Sequence, residues 1–317
     1  MAEQVDGGDI FVYAGGEQEV PRNVTRVRID RSVKIIPERA FHFRQNLLSV
    51  ETHDDLEKIE RDAFLYCISL RRIKLPGVRI VERGAFCNCY DLSDVEFGDK
   101  LETIEWNAFG GCQSLQKIKM PSVRNIGHSA FSGCEQLADL ELPCVDTIGT
   151  FAFSRCPRLR RVAIPLKNNI FLIHNIIQRR TQFDKCENLT TVDLLGGTNK
   201  TISTLLLERW RNEMNQEINR INQVLPNTPA NEKSDAIQGW IISVIDRMEN
   251  YKVEHNRLVN EATTLLELAV WKAKLNEKEE AQAKKSKIDV KVVRMEKRIT
   301  SGADIIIKNV VPFLKLE

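Results

Sequence analysis

The residues of this chain best suited to chemistry are its eight cysteines, and six of them recur at a fixed address. Cys67, Cys89, Cys112, Cys134, Cys156 and Cys186 each stand three residues after a phenylalanine. A thiolate acts as a nucleophile, a soft metal ligand or half of a disulfide, and each use needs a particular neighbour. Zinc takes paired ligands such as Cys-x-x-Cys, whereas Cys87-Asn88-Cys89 is a single Cys-x-Cys without a second pair. A nucleophile needs a base, and the five histidines (His42, His53, His128, His174, His255) are scattered, none at ligand spacing with another. Gly196-Gly197-Thr198-Asn199-Lys200-Thr201 has the residue types of a phosphate loop but not its GxxxxGK spacing, and suits a linker before a helix. Asn23-Val24-Thr25, Asn188-Leu189-Thr190 and Asn199-Lys200-Thr201 match the glycosylation pattern, which matters only in a secreted chain. No catalytic residue, cofactor or metal site is therefore predicted. Identical positions in successive units favour small buried thiols, one per unit, over disulfides or redox use.

Those addresses belong to a repeat. Ala-Phe pairs end at Phe41, Phe64, Phe86, Phe109, Phe131 and Phe153, spaced by 22 or 23 residues, and a fixed period of this size marks a solenoid. Five residues before each Phe stand Ile36, Ile59, Val81, Ile104, Ile126 and Ile148; nine after it stand Val50, Ile73, Val95, Ile118, Leu140 and Val162. The second of these columns lies in segments such as Leu70-Arg71-Arg72-Ile73-Lys74-Leu75, whose period-two alternation predicts a strand. Stacked, such strands form a parallel sheet with neighbours roughly 4.8 Å apart. The Ala-Phe-x-x-Cys stretch predicts a short helix or 3-10 turn opposite the sheet. Val24, Val27 and Ile29 read as an N-terminal cap, and a weaker copy surrounds Phe183 after an insertion at about 165–180, expected to be a loop or an extra helical turn.

The unit Ile104-Glu105-Trp106-Asn107-Ala108-Phe109-Gly110-Gly111-Cys112-Gln113-Ser114-Leu115-Gln116-Lys117-Ile118-Lys119-Met120-Pro121 closely resembles the BspA-type leucine-rich repeat, and the resemblance covers about residues 24–197. The wider arrangement, with Leu206-Leu207-Glu208-Arg209-Trp210-Arg211-Asn212-Glu213 in its tail, looks like a protist family in which this array precedes a helical region. The resemblance implies an α/β leucine-rich-repeat solenoid with its sheet on the concave face, and a protein-interaction role. It supplies no catalytic residues.

Composition bounds the function. A net charge of +2 argues against electrostatically driven nucleic-acid or membrane binding, and no stretch is apolar enough for a membrane span. Met1–Asp9 is polar and acidic rather than a leader, so a cytoplasmic location is expected. Lys284–Lys287 reads as a solvated basic run rather than a nuclear signal.

On each predicted strand, the residues flanking the central aliphatic share the face opposite the core. They run Arg26/Arg28, Ser49/Glu51, Arg72/Lys74, Asp94/Glu96, Lys117/Lys119, Asp139/Glu141, Arg161/Ala163 and Thr191/Asp193, and the sign reverses at every step. Two readings stand side by side: a partner-binding surface, or a self-compensated face that fixes register and solubility.

After about residue 199 the pattern becomes helical, which divides the chain into 1–199 and 200–317. Leu207, Trp210, Met214, Ile218, Ile221 and Leu225 predict a helix over 202–224 that Pro226-Asn227-Thr228-Pro229 ends. Ile237, Ile241, Val244, Met248, Tyr251, His255, Leu258, Ala262 and Leu265 form a heptad seam on a helix over 234–276. The favoured arrangement is an αα-hairpin extended by the apolar residues of 288–314; pairing of two copies is the alternative. The expected function is a non-enzymatic scaffold that binds a protein partner. A carbohydrate-binding or cell-surface adhesion module, and an enzyme with a site in the helical region, remain as alternatives.

Overall fold

A computed structural model of the chain describes residues 10–16, 18–167, 170–172, 181–195 and 204–285, with helix side chains from 211 to 278. Residues 173–180, 196–203 and 286–317 lie outside the described residues, with His174, the glycine-rich linker, Lys287 and the C-terminal apolar segment.

The repeats fold as stacked parallel strands on two sides of one core. The first side comprises β1 (Phe11–Tyr13), β2 (Arg26–Ile29), β4 (Ser49–Glu51), β6 (Arg72–Leu75), β8 (Asp94–Phe97) and β10 (Lys117–Lys119), in that order. It continues with β12 (Asp139–Glu141), β14 (Arg161–Pro165) and β15 (Thr191–Leu195), which form a separate three-stranded sheet. The second side is a sheet of two-residue strands: β3 (Ile35–Ile36), β5 (Lys58–Ile59), β7 (Ile80–Val81), β9 (Thr103–Ile104), β11 (Asn125–Ile126) and β13 (Thr147–Ile148). This second sheet, built on the aliphatic five residues before Phe, adds to the single sheet that the sequence predicts. Its strands are short because the motif leaves only one inward residue there before the chain turns. The insertion joins it in extended form: Phe171 bridges Ile148, and the Ile148 N–H donates to the Ile170 carbonyl at 2.7 Å. At the other end β1 adds a strand to the expected cap, with Phe11 opposite Val27.

The Ala-Phe-x-x-Cys stretch forms tandem turns closed between residues i and i+3, as where Ala40 donates to Pro37 and Arg44 to Phe41. Residues two before and two after each Phe have left-handed backbone, so these turns never lengthen into a helix. The pairs are Arg39 and Phe43, Asp62 and Tyr66, Gly84 and Asn88, Asn107 and Gly111, Ser129 and Gly133, Phe151 and Arg155, with φ between 52° and 77°. At Gly111 a β-carbon would also stand 2.4 Å from the Asn88 side-chain oxygen.

This geometry turns alternate N–H groups toward the following repeat. Phe41 donates to Ala63 at 2.8 Å, Phe64 to Ala85 at 2.7 Å, Phe86 to Ala108 at 2.7 Å, Phe109 to Ala130 at 2.8 Å and Phe131 to Ala152 at 2.7 Å, with the left-handed residues adding bonds on both sides. The Phe carbonyls receive the thiols. Cys67 donates to Phe41 at 3.0 Å, Cys89 to Phe64 at 3.1 Å, Cys112 to Phe86 at 3.1 Å and Cys186 to Phe153 at 2.9 Å. Each cysteine thus satisfies a buried carbonyl that a purely apolar side chain would leave half-paired. In the first repeat the same position holds Arg44, which donates to the Val20 and His42 carbonyls and closes the end of the stack. Inside, the Phe rings lie nearly parallel at centroid spacings from 4.9 Å to 5.8 Å.

The helices are α1 (Thr204–Val224) and α2 (Lys233–Lys285), joined through a 3-10 turn at Leu225–Asn227. Gln216–Ile245 belong to the same compact unit as the repeats. The reason is local. Phe183 has no following repeat, and its N–H donates instead to the Ser234 hydroxyl at 3.0 Å. Asn222 accepts from the Val192 N–H at the last strand, and the buried Lys233 ammonium donates to the Glu187 and Leu189 carbonyls. The heptad seam divides accordingly. Ile237, Ile241 and Val244 are fully buried, whereas Leu258 and Leu265 in the second unit are 39% and 51% exposed.

Two outcomes test this architecture. Ser234→Ala leaves the buried Phe183 N–H unpaired and is expected to cost about 1 to 3 kcal/mol, read as a lower melting temperature. Burial pushes the Cys67 thiol up to about 12, and raises Cys89, Cys112 and Cys134 as well. Above the ordinary value of 9.0 the unfolded chain releases protons that the folded chain keeps, so stability falls as pH rises. The loss is about 1.4 kcal/mol per pH unit per thiol, and circular dichroism should show cooperative unfolding between about pH 9 and 11.

Candidate functional site

The core takes up most of the regularly spaced apolar residues, and the charged side chains of the repeats lie on the outer surface. The six thiols and the Phe rings of the Ala-Phe-x-x-Cys column are buried, whereas Cys144, Phe43 and Phe151 are exposed; three of the described histidines are engaged by neighbours. His53 Nε2 contacts the Asp30 carbonyl at 2.9 Å, His128 Nδ1 contacts Thr150 Oγ1 at 2.6 Å, and burial lowers the His42 imidazole below its ordinary value. Among the described residues no three His, Cys, Asp or Glu side chains cluster to hold a metal ion, and no helix is long and apolar enough to cross a membrane.

The strand-face charges lie in the register that the repeat period dictates. Arg28 stands opposite Glu51, Arg72 opposite Asp94, Lys74 opposite Glu96, Lys117 opposite Asp94, Lys119 opposite Glu96 and Asp139 opposite Arg161. Ion pairs bridge several of these steps: Arg28 to Glu51 at 2.7 Å, Lys74 to Glu96 at 3.2 Å, and Arg161 to both Glu141 at 2.8 Å and Asp193 at 2.5 Å. The hydrogen bonds from Glu141 and Asp193 hold the Arg161 guanidinium above its ordinary value. Arg26 is half-buried on β2, and Ala163, on the same face, is fully buried.

A second column alternates in the same way. Seven residues before each Phe stand Lys34, Glu57, Arg79, Glu102, Arg124 and Asp146. Arg79 reaches Glu102 at 2.7 Å, Arg124 reaches Asp146 at 3.4 Å, and Lys167 from the insertion reaches Asp146 at 2.5 Å. The Lys167 hydrogen bond draws the Asp146 carboxyl below its ordinary range. This column is legible in the sequence at its own fixed offset, seven residues before each Phe.

The expected continuous ladder fails at one step. No backbone hydrogen bond joins β10 to β12 among the described residues, so the first side is split into sheets of six and three strands. On the second side the same repeats remain bonded, with Asn125 opposite Thr103 and Thr147. Ile118 is correspondingly only half-buried, whereas Val50, Ile73, Val95, Leu140 and Val162 in the same column are buried. A cleft of about 730 Å³ opens there, lined by Phe97, Lys117, Ile118, Lys119, Met120, Pro121, Asp139, Glu141, Pro143, Arg158 and Arg160 among others. Lys117 and Lys119 are exposed and make no ion pair among the described residues; of the carboxylates on the flanking strands, Glu96 is engaged by Lys74 and Glu141 by Arg161, whereas Asp94, opposite Lys117, and Asp139 are exposed.

A different exposed cluster follows the turns. The Arg83 guanidinium lies 3.9 Å from the Trp106 ring centroid, and Trp106, His128 and Phe151 meet edge to face in successive repeats.

The Lys117→Glu/Lys119→Glu double variant sets two further carboxylates beside those of Asp94, Glu96, Asp139 and Glu141. It is expected to lose about 1 kcal/mol, measured as a melting point lower by roughly 2 to 4 °C. An unchanged melting temperature would show that the alternating signs do not couple.

A family model described as BspA type Leucine rich repeat region, in 6 copies, matches residues 20–123 and 79–209, more than half of the chain. No curated protein matches it. Among solved structures, a leucine-rich repeat protein from Bacteroides ovatus is 28% identical over 44% of this chain and 35% of its own, with a TM-score of 0.35. The chain therefore spans well under two thirds of that protein. A leucine-rich repeat protein of T. pallidum is 25% identical over 61% of this chain and 84% of its own, with a TM-score of 0.40. One from Eubacterium ventriosum is 20% identical over 58% and 54%, with a TM-score of 0.37. With its matched units folding as stacked parallel strands on a shared core, the chain belongs to the BspA type leucine-rich repeat family.

Proposed function

We propose that this chain is a non-enzymatic scaffold that binds a protein partner on the outer face of its first side, at the step between β10 and β12. Leucine-rich repeats are a typical protein-interaction fold, and their stacked surfaces offer long contact areas. The interruption of the ladder carries the proposal. Elsewhere on the face ion pairs join Arg28 to Glu51, Lys74 to Glu96 and Arg161 to Glu141 and Asp193, and every central aliphatic is buried, so a partner gains less there. At the interruption Ile118 is half-buried, Lys117 and Lys119 project without a short ion pair, and the cleft provides apolar walls. Apolar surface rimmed by unspent charge is the combination from which interface hot spots are built.

The cytoplasmic location belongs to this proposal, as does pairing of two copies along the exposed α2 residues Leu265, Leu268 and Trp271. Light scattering on the whole chain checks that pairing.

A photo-reactive amino acid placed at Lys119 is expected to cross-link one protein in cells that make this chain, while the same probe at Glu102 yields none. Equal cross-linking at both positions, or none at Lys119, would contradict the proposal.

A further inference from the structure

We infer that the occupant of the β10–β12 cleft is an extended acidic segment of a partner protein, its carboxylates on Lys117, Lys119 and Arg160 and an apolar side chain on Ile118. The inference rests on the docking site proposed above and adds the chemistry of what docks there.

Charge identifies the partner. The cleft lining carries four cations, Lys117, Lys119, Arg158 and Arg160, against two carboxylates, Asp139 and Glu141. Glu141 is already held by Arg161, and Arg158 donates to the Gln136 side-chain oxygen. Lys117, Lys119 and Arg160 are exposed, so cations outnumber carboxylates within the lining of one cleft of a chain whose net charge is only +2. No ion pair joins Lys117 or Lys119 to Asp139 or Glu141 among the described residues, and a segment with carboxylates supplies partners that the parted strands do not.

Backbone geometry selects an extended segment. Along a parallel strand, alternate N–H groups face alternate neighbours. Ala138 accepts on the β14 side and Leu142 donates to Ala163 there, so the Asp139 and Glu141 N–H groups face β10, to which no bond is made. Lys117 and Lys119 lie on one face of β10 with Ile118 between them, a period that matches a segment alternating acidic and apolar residues.

The test uses the whole chain. A random-peptide display library is selected on the purified protein, and the enriched peptides are synthesised and titrated by fluorescence anisotropy. The expected peptides alternate Asp or Glu with apolar residues. They should lose about tenfold in affinity on Lys117→Gln/Lys119→Gln and weaken in high salt. Thermal melts confirm that the double variant is folded, and Glu102→Gln should bind as the parent does. Enriched peptides without acidic residues overturn this inference while leaving docking at the cleft intact, provided that Ile118→Arg abolishes their binding. Peptides indifferent to both variants but lost on Trp106→Ala overturn the docking site itself. Equal binding of a single-stranded oligonucleotide overturns the assignment to protein.

Discussion

The structure depends on a single requirement: no repeat can satisfy its own Ala-Phe turn. Left-handed residues on both sides of the pair turn N–H groups toward the next repeat, and the Phe carbonyl must receive a thiol from that same neighbour. An unpaired buried donor or acceptor costs about 1 to 3 kcal/mol, so a repeat without a successor is penalised several times over. The ends of the stack are therefore special by necessity. At the first turn Arg44 replaces the cysteine and closes back onto Val20 and His42; at the last, Ser234, Asn222 and Lys233 stand in for a repeat that does not follow. The helical region begins as the terminal cap of the solenoid before it becomes anything else.

The same requirement sets what the surface does. Repeats locked in register bring equivalent residues about 5 Å apart, where like charges would oppose one another along the whole stack. Two independent columns answer by reversing sign at each step. Exposed pairs contribute roughly 0.2 to 1 kcal/mol each, so their value lies less in holding the stack than in penalising any pairing displaced by one repeat. A neutralised surface also has little to offer a partner. The step between β10 and β12 differs in three linked respects: the strands part, the central aliphatic is uncovered and the lysines keep their charge.

Much of the fold was legible in the sequence because its signals are periodic. The strand column, the buried thiols, the two helices and the strand-face charges follow from spacing alone. Other features were hidden for identifiable reasons. The second sheet rests on two-residue strands, too short for alternation to show. Four of the seven left-handed residues two after Phe are Phe43, Tyr66, Arg155 and Lys185, types that rarely adopt this backbone and so give no warning. The cap formed by Gln216–Ile245 joins the repeats through single side chains such as Ser234, which no pattern announces. The interruption is likewise silent, since Lys117-Ile118-Lys119 and Asp139-Leu140-Glu141 continue the repeat without fault.

Residue-resolved amide hydrogen exchange on the whole chain tests the central claim most directly. If the first side is open between β10 and β12, the Asp139 and Glu141 amides exchange far faster than those of Lys117 and Lys119, which face β8, and than the Phe109 and Phe131 amides. Protection of Asp139 and Glu141 equal to that of their neighbours would mean an unbroken ladder, and the surface would then have no privileged site.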